Sequence, residues 1–447
     1  MLDFFTTIDD FVWGPPLLVL LVGTGVYLTI RLGLLQVLRL PKAFKLIFAE
    51  DKGEGDISSF AALATALAAT IGTGNIVGVA TAIKTGGPGA LFWMWIAAFF
   101  GMATKYAEGL LAIKFRTLDD QGNVSGGPMY YITHGFSGKW QIIAKPLAYF
   151  FAFAGVLVAW LGIGTFSQVN SITSSLQNSF GWSPKIVSVI LALITAAIIF
   201  GGIQSISKVS EKVVPFMAGL YIIAALIVIF ANFNQLLPVL EMVFQSAFTG
   251  KAAVGGFAGA TVMAAMRLGI ARGVFSNESG LGSAPIAAAA AKTEEPVEQG
   301  LISMTGTFID TIIICTLTGL AILVTGQWSG SLEGAPMTQA AFSSIFGTFG
   351  ELALTLSLVL FAFTTILGWS YYGERCFEFI FKSTKFLSFY RLIFVVMVAL
   401  GGYLTLEVVW KIADIVNGLM ALPNLIALLV LSPIILKESK SYFERHK

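Results

Sequence analysis

Histidine and cysteine are nearly absent from this 447-residue sequence: His134, His446, Cys315 and Cys376 are all it holds. Scarcity on that scale excludes a His or Cys metal site, a disulfide framework and most histidine-based catalysis. Charge is thin as well, at 12% of residues against about 25% in a soluble domain. A net charge of +2 leaves no basic excess to recruit nucleic acid, so the charges carry meaning only through where they fall. What replaces them is apolar: 56% of residues are hydrophobic and the mean hydropathy is +0.83, where a soluble chain runs at about 45–50% apolar. These proportions describe an all-α polytopic membrane protein and exclude a soluble enzyme.

A helix needs about 20 mostly apolar residues to cross a hydrocarbon core of about 30 Å. Runs of that kind, bounded by charge, Gly or Pro, predict about eleven spans. They cover roughly 15–35, 58–83, 89–113, 146–176, 184–202, 213–231, 252–291 (interrupted), 301–324, 352–372, 392–406 and 412–436. The fourth is too long to cross upright, which predicts a tilt or an extension beyond the bilayer. The first follows Asp3, Asp9 and Asp10 in place of a basic leader and is expected to be a retained span, not a signal peptide. With the N-terminus outside, the outer loops hold Lys84, Lys185, Lys251 and Lys411, four of 27 basic residues. Arg267 and Arg272 fall within the seventh segment, and the rest lie in or near cytoplasmic stretches. That asymmetry predicts the N-terminus outside and the C-terminus in the cytoplasm.

Two segments depart from a smooth apolar helix. In the second span, Ala68 to Asn75 places Gly72, Gly74 and Asn75 near mid-membrane; in the seventh, Gly269 to Pro285 brings four glycines and a proline. Glycine weakens helix interiors, so both stretches can unwind and free backbone groups at membrane depth. Paired breaks in two halves of a chain point to a secondary transporter, because half-helix N-termini attract anions and freed carbonyls coordinate cations. Five spans separate the breaks. With span one as an appendage (1–57), spans two to six (58–240) and seven to eleven (241–436) form two five-helix halves, the second inverted, followed by a tail (437–447). Small-residue packing between ordinary helices is the competing explanation of the glycines. A channel would need a continuous polar pore and an embedded enzyme a catalytic constellation, and neither pattern is visible.

The run Gly86-Gly87-Pro88-Gly89-Ala90-Leu91-Phe92-Trp93-Met94-Trp95 through Gly101 resembles the signature of the alanine or glycine:cation symporter family. So do Gly72-Thr73-Gly74-Asn75, Gly126-Gly127-Pro128-Met129-Tyr130-Tyr131, and Ser276-Asn277-Glu278 leading into Gly282-Ser283-Ala284-Pro285. The resemblance covers essentially the whole chain. It implies a LeuT-type fold, a 5+5 inverted repeat preceded by one extra helix, in the cell membrane. It also implies sodium-coupled symport of alanine and glycine by alternating access, with no cofactor beyond the co-transported sodium ion and no obligate protein partner.

A small zwitterion needs donors for its carboxylate, acceptors for its ammonium and a tight pocket for a methyl group. Thr73, Gly74 and Asn75 can supply donors. Gln168 in span four either adds an amide or serves as interhelical glue. Gly273, Ser276 and Asn277 are candidates for the ammonium, and Trp369 either closes the pocket or packs the core. The fold resemblance places sodium against the carbonyls of Ala68 and Ile71 and the hydroxyls of Thr364 and Thr365, although such hydroxyls also bond back to their own helix. Charges within a membrane are functional candidates. Asp310 is expected either to pair with Arg267 or Arg272 or to take part in ion coupling. Glu278 is expected either to gate the inner exit by pairing with a base or to sit as a helix-terminal charge in water. Proton coupling remains open beside sodium.

Overall fold

The computed structural model describes residues 2–51, 53–249, 262–403 and 406–446. Lys52, Lys251, residues 252–261 of the seventh predicted span, residues 404–405 of the tenth, and Lys447 lie outside the described residues.

The chain is a bundle of helices. Helices α1 (Leu2–Val12) and α2 (Pro15–Arg31) lead into a first interrupted helix made of α3 (Ser59–Thr70), a π-helical turn (Gly74–Gly78) and α4 (Val79–Gly86). Next come α5 (Gly89–Lys114), a small hairpin of β1 (Thr117–Leu118) and β2 (Val124–Ser125), α6 (Gln141–Leu161), α7 (Phe166–Phe180), α8 (Pro184–Ile199) and α9 (Gly202–Ala231). A second interrupted helix follows as α10 (Val262–Asn277) and α11 (Ala284–Ala288). Then α12 (Pro296–Thr307) continues through a π-helical stretch (Phe308–Cys315) into α13 (Thr316–Val324). The chain ends with α14 (Gly334–Phe346), α15 (Thr348–Phe381), α16 (Leu387–Leu400), α17 (Leu406–Val430) and α18 (Ser432–Arg445).

Local chemistry explains several boundaries. The Ser58 hydroxyl accepts from the Ala61 amide at 3.0 Å and caps α3, satisfying a donor that the first turn leaves free. Proline opens α2, α8 and α12, where its missing N–H costs nothing. Gly181 ends α7 in the left-handed region, as helix stops commonly do.

Eight helices among the described residues are long and apolar enough to cross a membrane, nine if the two arms of the first interrupted helix, bent by 51°, count as one span. Helix α8 is apolar but shorter. Length and composition thus account for eight or nine of the eleven expected crossings. Large apolar side chains such as Ile186, Leu193, Phe216, Ile223 and Phe230 face outward, a belt that lipid would cover and water would not tolerate. Inside, the interrupted helices touch α5, α12 and α15, so the breaks lie at the centre of the bundle.

The fourth predicted span is a correction. Its helix is not continuous but is interrupted at Gly162–Thr165, between α6 and α7, within an apolar stretch of 43 residues from Gly138 to Phe180. Gly164 is needed there, because a Cβ on it would lie 2.8 Å from Ala159 Cα and from Trp369 Cβ.

Candidate functional site

The first break forms where α3 stops at Thr70 and Ile71 turns to extended backbone. Asn75 folds back so that its Oδ1 accepts from the Gly72 amide at 2.8 Å. Gly72 lies so close to α15 and α7 that a Cβ would sit 2.5 Å from Thr365 Oγ1 and 3.2 Å from Gln168 Oε1. The Thr73 amide donates to Gln168 Oε1 at 3.3 Å. Gln168 reaches this point because the unforeseen break in the fourth span puts it in the first turn of α7. Two polar atoms beside that bond are buried without a hydrogen-bond partner in the protein: Thr73 Oγ1 and Gln168 Nε2. A buried polar atom left unpaired costs about 1–3 kcal/mol, so both donors stand ready to take a further polar partner.

The second break is narrower and later than the sequence suggested. Helix α10 runs unbroken through Gly269 and Gly273 to Asn277, and the backbone leaves the helix over Glu278–Ser283. Gly269 and Gly273 instead let α10 lie on α5, since a Cβ on Gly269 would be 2.4 Å from the Ala90 carbonyl and one on Gly273 3.4 Å from Met94 Cα. The structure therefore sets Gly273 a full turn before the break, against α5. Gly280 (φ 90°) and Gly282 (φ 83°) do the unwinding, and Glu278 itself takes a φ of 57°, a rare conformation for a residue with a Cβ.

The freed amides of the second break are met by α5 and α17. Glu108 Oε1 accepts from the Gly280 amide at 3.0 Å, the Gly282 amide at 3.2 Å and Asn424 Nδ2 at 2.7 Å. Asn424 also donates to the Gly280 carbonyl at 2.9 Å and accepts from the Tyr131 hydroxyl. Lys105, one turn before Glu108, donates to the Asn277 carbonyl at 2.9 Å, capping the end of α10 where a cation favours the helix dipole. The sequence reading missed Lys105, Glu108 and Asn424. The signal is present in the sequence: two charges inside the last third of a predicted span, 89–113.

Asp310 does not form the expected ion pair with arginine. Arg267 pairs with Asp10, and Arg272 with Asp414 at 2.7 Å. The π-helical stretch instead turns Asp310 toward both breaks. Its Oδ1 accepts from Asn75 Nδ2 at 2.7 Å, and its Oδ2 from the Ser276 hydroxyl at 2.9 Å and the Thr311 hydroxyl at 2.8 Å. Asn277 Nδ2 donates to Thr311 Oγ1 at 3.0 Å. Asn75, Ser276 and Asp310 therefore meet at one point, with the Cys315 thiol 3.3 Å from the Ser276 hydroxyl. Glu278 is likewise neither in water nor paired with a base. It is buried, accepting from Trp369 Nε1 at 2.9 Å and from the Ser283 hydroxyl. That bond fixes the Trp369 indole within the core.

Of the sodium candidates, Thr365 and Ile71 come together: the Thr365 hydroxyl lies 3.3 Å from the Ile71 carbonyl and 3.0 Å from that of Phe361. The Thr364 hydroxyl turns back to the Phe361 carbonyl at 3.0 Å, with Met217 Sδ at 3.6 Å. Ala68 is buried on α3, one turn before the break. A cavity of about 400 Å³ reaches from the α14 side down to Val77 and Gly78, lined also by Thr81, Asn178 and Glu333.

The whole chain, residues 1–447, matches the sodium:alanine symporter family. It is 51% identical to the sodium/alanine symporter AgcS of Methanococcus maripaludis, over 99% of this chain and 97% of that one. It is 55% identical to an uncharacterized transporter of Haemophilus influenzae, over 99% and 96% respectively. Its fold is similar to the crystal structure of MhsT in complex with L-phenylalanine, a LeuT-type transporter, with a TM-score of 0.60 at 13% identity over 85% of this chain and 89% of that one. The chain belongs to the sodium:alanine symporter family, a family of membrane transporters and not of enzymes.

Proposed function

We propose that this protein carries alanine, and glycine with it, into the cell across the plasma membrane, driven by sodium and by alternating access around the two helix breaks. The observation that carries the reading is the unpaired Thr73 Oγ1 and Gln168 Nε2, two buried donors side by side at the first break that suit a carboxylate. Gly74 lines the same break, and Ser276, Asn277 and the Trp369–Glu278 pair face it from the second. Gly273 supports the site from behind, by letting α10 approach α5. Sodium is assigned to the carbonyls of Ile71 and Ala68 with the hydroxyls of Thr365 and Thr364, and Asp310 and Glu278 to coupling and gating.

The orientation follows from charge. The face bearing α1 carries the Lys411–Asp9 pair, while the opposite face gathers the β-hairpin, Arg375, Arg391 and the docked helix α18. The first face is outside and the second cytoplasmic. Sodium, alanine and glycine are the partners, with no resident cofactor and no obligate protein partner.

Uptake of labelled alanine into proteoliposomes, with and without an inward sodium gradient, tests this reading. Uptake should require sodium on the alanine side, and unlabelled glycine should compete. Asp310 and Glu278, buried carboxylates bonded to neutral donors, favour proton coupling as the second reading. Uptake that follows a proton gradient and ignores sodium would overturn the first in its favour.

A further inference from the structure

At the face bearing the hairpin, the inner ends of both interrupted helices are joined by backbone. The Asp56 and Ile57 amides donate to the Ala290 carbonyl at 2.9 and 3.2 Å, and the Lys292 amide to the Ile57 carbonyl at 2.9 Å. The residues entering α3 thus run parallel to those leaving α11. Gly55 permits the approach, since a Cβ there would lie 2.5 Å from the Ala291 carbonyl oxygen.

Arg116, just beyond α5, lies across this join. Its Nη1 donates to the carbonyls of Ala289 at 3.0 Å and Ala291 at 2.7 Å, and its Nη2 to those of Glu54 at 2.8 Å and Thr293 at 2.9 Å. A guanidinium presents a rigid fork of donors, so one side chain can bind both strands at once, which an ammonium cannot do with the same geometry. An arginine that only neutralised the end of α11 would bond that helix alone. The bond to Glu54 ties it to the other.

Between this join and the breaks lies a water-sized cavity of about 10 Å³. It is walled by α3 through Ala62 and Thr70, by α11 through Ala284 and Ala288, and by Lys105. On the opposite face the larger cavity already reaches Gly78. Toward the hairpin face the space beside the breaks is thus no more than water-sized, and α3 and α11 are held together there.

We propose that Arg116 is a positioning residue that clamps the inner gate, holding α3 against α11 until the gate opens to release cargo on the hairpin side. The inference rests on the alternating-access reading above. It is tested by adding a cysteine at Ala288 and measuring its labelling by a membrane-impermeant maleimide from each face in proteoliposomes, above the labelling of the parent chain. Arg116→Ala should raise the rate from the hairpin face about tenfold and Arg116→Lys should fall between, while a cysteine at Thr81 should label no faster from the other face. Gly55→Ala, which pries the join apart, should act in the same direction and serves if Arg116→Ala fails to fold. An unchanged rate in Arg116→Ala and Gly55→Ala, or an equal rise at both faces, would overturn the clamp. Because labelling needs no cargo, a failed alanine-uptake assay would sink the transport reading and leave this measurement standing on its own.

Discussion

Gly72 carries the sharpest prediction. Its φ is not positive, so Gly72→Ala adds no backbone strain and the effect is that of one methyl group. That methyl would sit 2.5 Å from Thr365 Oγ1 and 3.2 Å from Gln168 Oε1, where ordinary contact begins near 3.4 Å. Thr365 has little room to yield, because it is β-branched and its hydroxyl is held between the Ile71 and Phe361 carbonyls. Overpacking of this kind costs about 1–3 kcal/mol. If about 2 kcal/mol falls on the loaded state, sodium affinity drops roughly 30-fold, at tenfold per 1.4 kcal/mol. The assay is the half-saturating sodium concentration for alanine uptake, with the sodium-dependent rise in melting temperature as a second reading. Gly306→Ala is the control, since a Cβ there meets nothing closer than Leu63 at 3.8 Å and gains about 1 kcal/mol of helix propensity. Wild-type sodium dependence in Gly72→Ala, or an equal loss in Gly306→Ala, would refute the reasoning.

Thr365→Ala should weaken sodium affinity about tenfold or more and Thr364→Ala much less, because Thr365 alone of the two faces the first break; equal effects in uptake titrations would contradict the geometry. Asp310→Ala strips the carboxylate acceptor from Ser276 and Thr311 and leaves Asn75 with the Asp310 carbonyl at 3.1 Å, and each buried donor left unpaired costs about 1–3 kcal/mol. It should abolish sodium-stimulated uptake, while Asp310→Asn should keep the protein folded in detergent but lose the stimulation. Glu108→Ala should lower the melting temperature by several degrees through the freed Gly280 and Gly282 amides, and Glu108→Gln, which keeps one acceptor, should lower it less.

The sequence made the first break legible because Gly72, Gly74 and Asn75 do a single job there. In the second segment glycine does two: Gly280 and Gly282 supply left-handed backbone, while Gly269 and Gly273 make room for α5. Composition does not separate these uses, so the predicted break was spread over both. The fourth span carries its own warning in Gly162 and Gly164, but excess length by itself points to a tilt or an extension beyond the bilayer and not to an interruption. Pairing across the fold was the least readable feature. Arg272 finds Asp414, 142 residues away, where proximity in sequence had offered Asp310. Lys105 and Glu108 lay within a predicted span and met the same criterion that singled out Asp310.

Those two residues alter how the scarcity of charge is to be understood. Around the breaks, Glu108, Glu278 and Asp310 are buried, and Lys105 stands among them. Glu108 and Lys105 saturate backbone that unwinding exposed, so part of this charge is structural. Asp310 binds no freed amide; side-chain donors from both interrupted helices converge on it. A carboxylate so placed is expensive in a membrane unless a proton or a cation shares the site, and a zwitterion such as alanine brings no net charge to relieve it. In the proposed cycle the sodium assigned to Ile71 and Thr365 is not bound by Asp310 but is linked to it through Asn75, which bonds both the Gly72 amide and the Asp310 carboxylate. The charge of the ion thereby offsets that of the carboxylate while the cargo settles into hydrogen bonds. That division gives a physical reason for the two to move together.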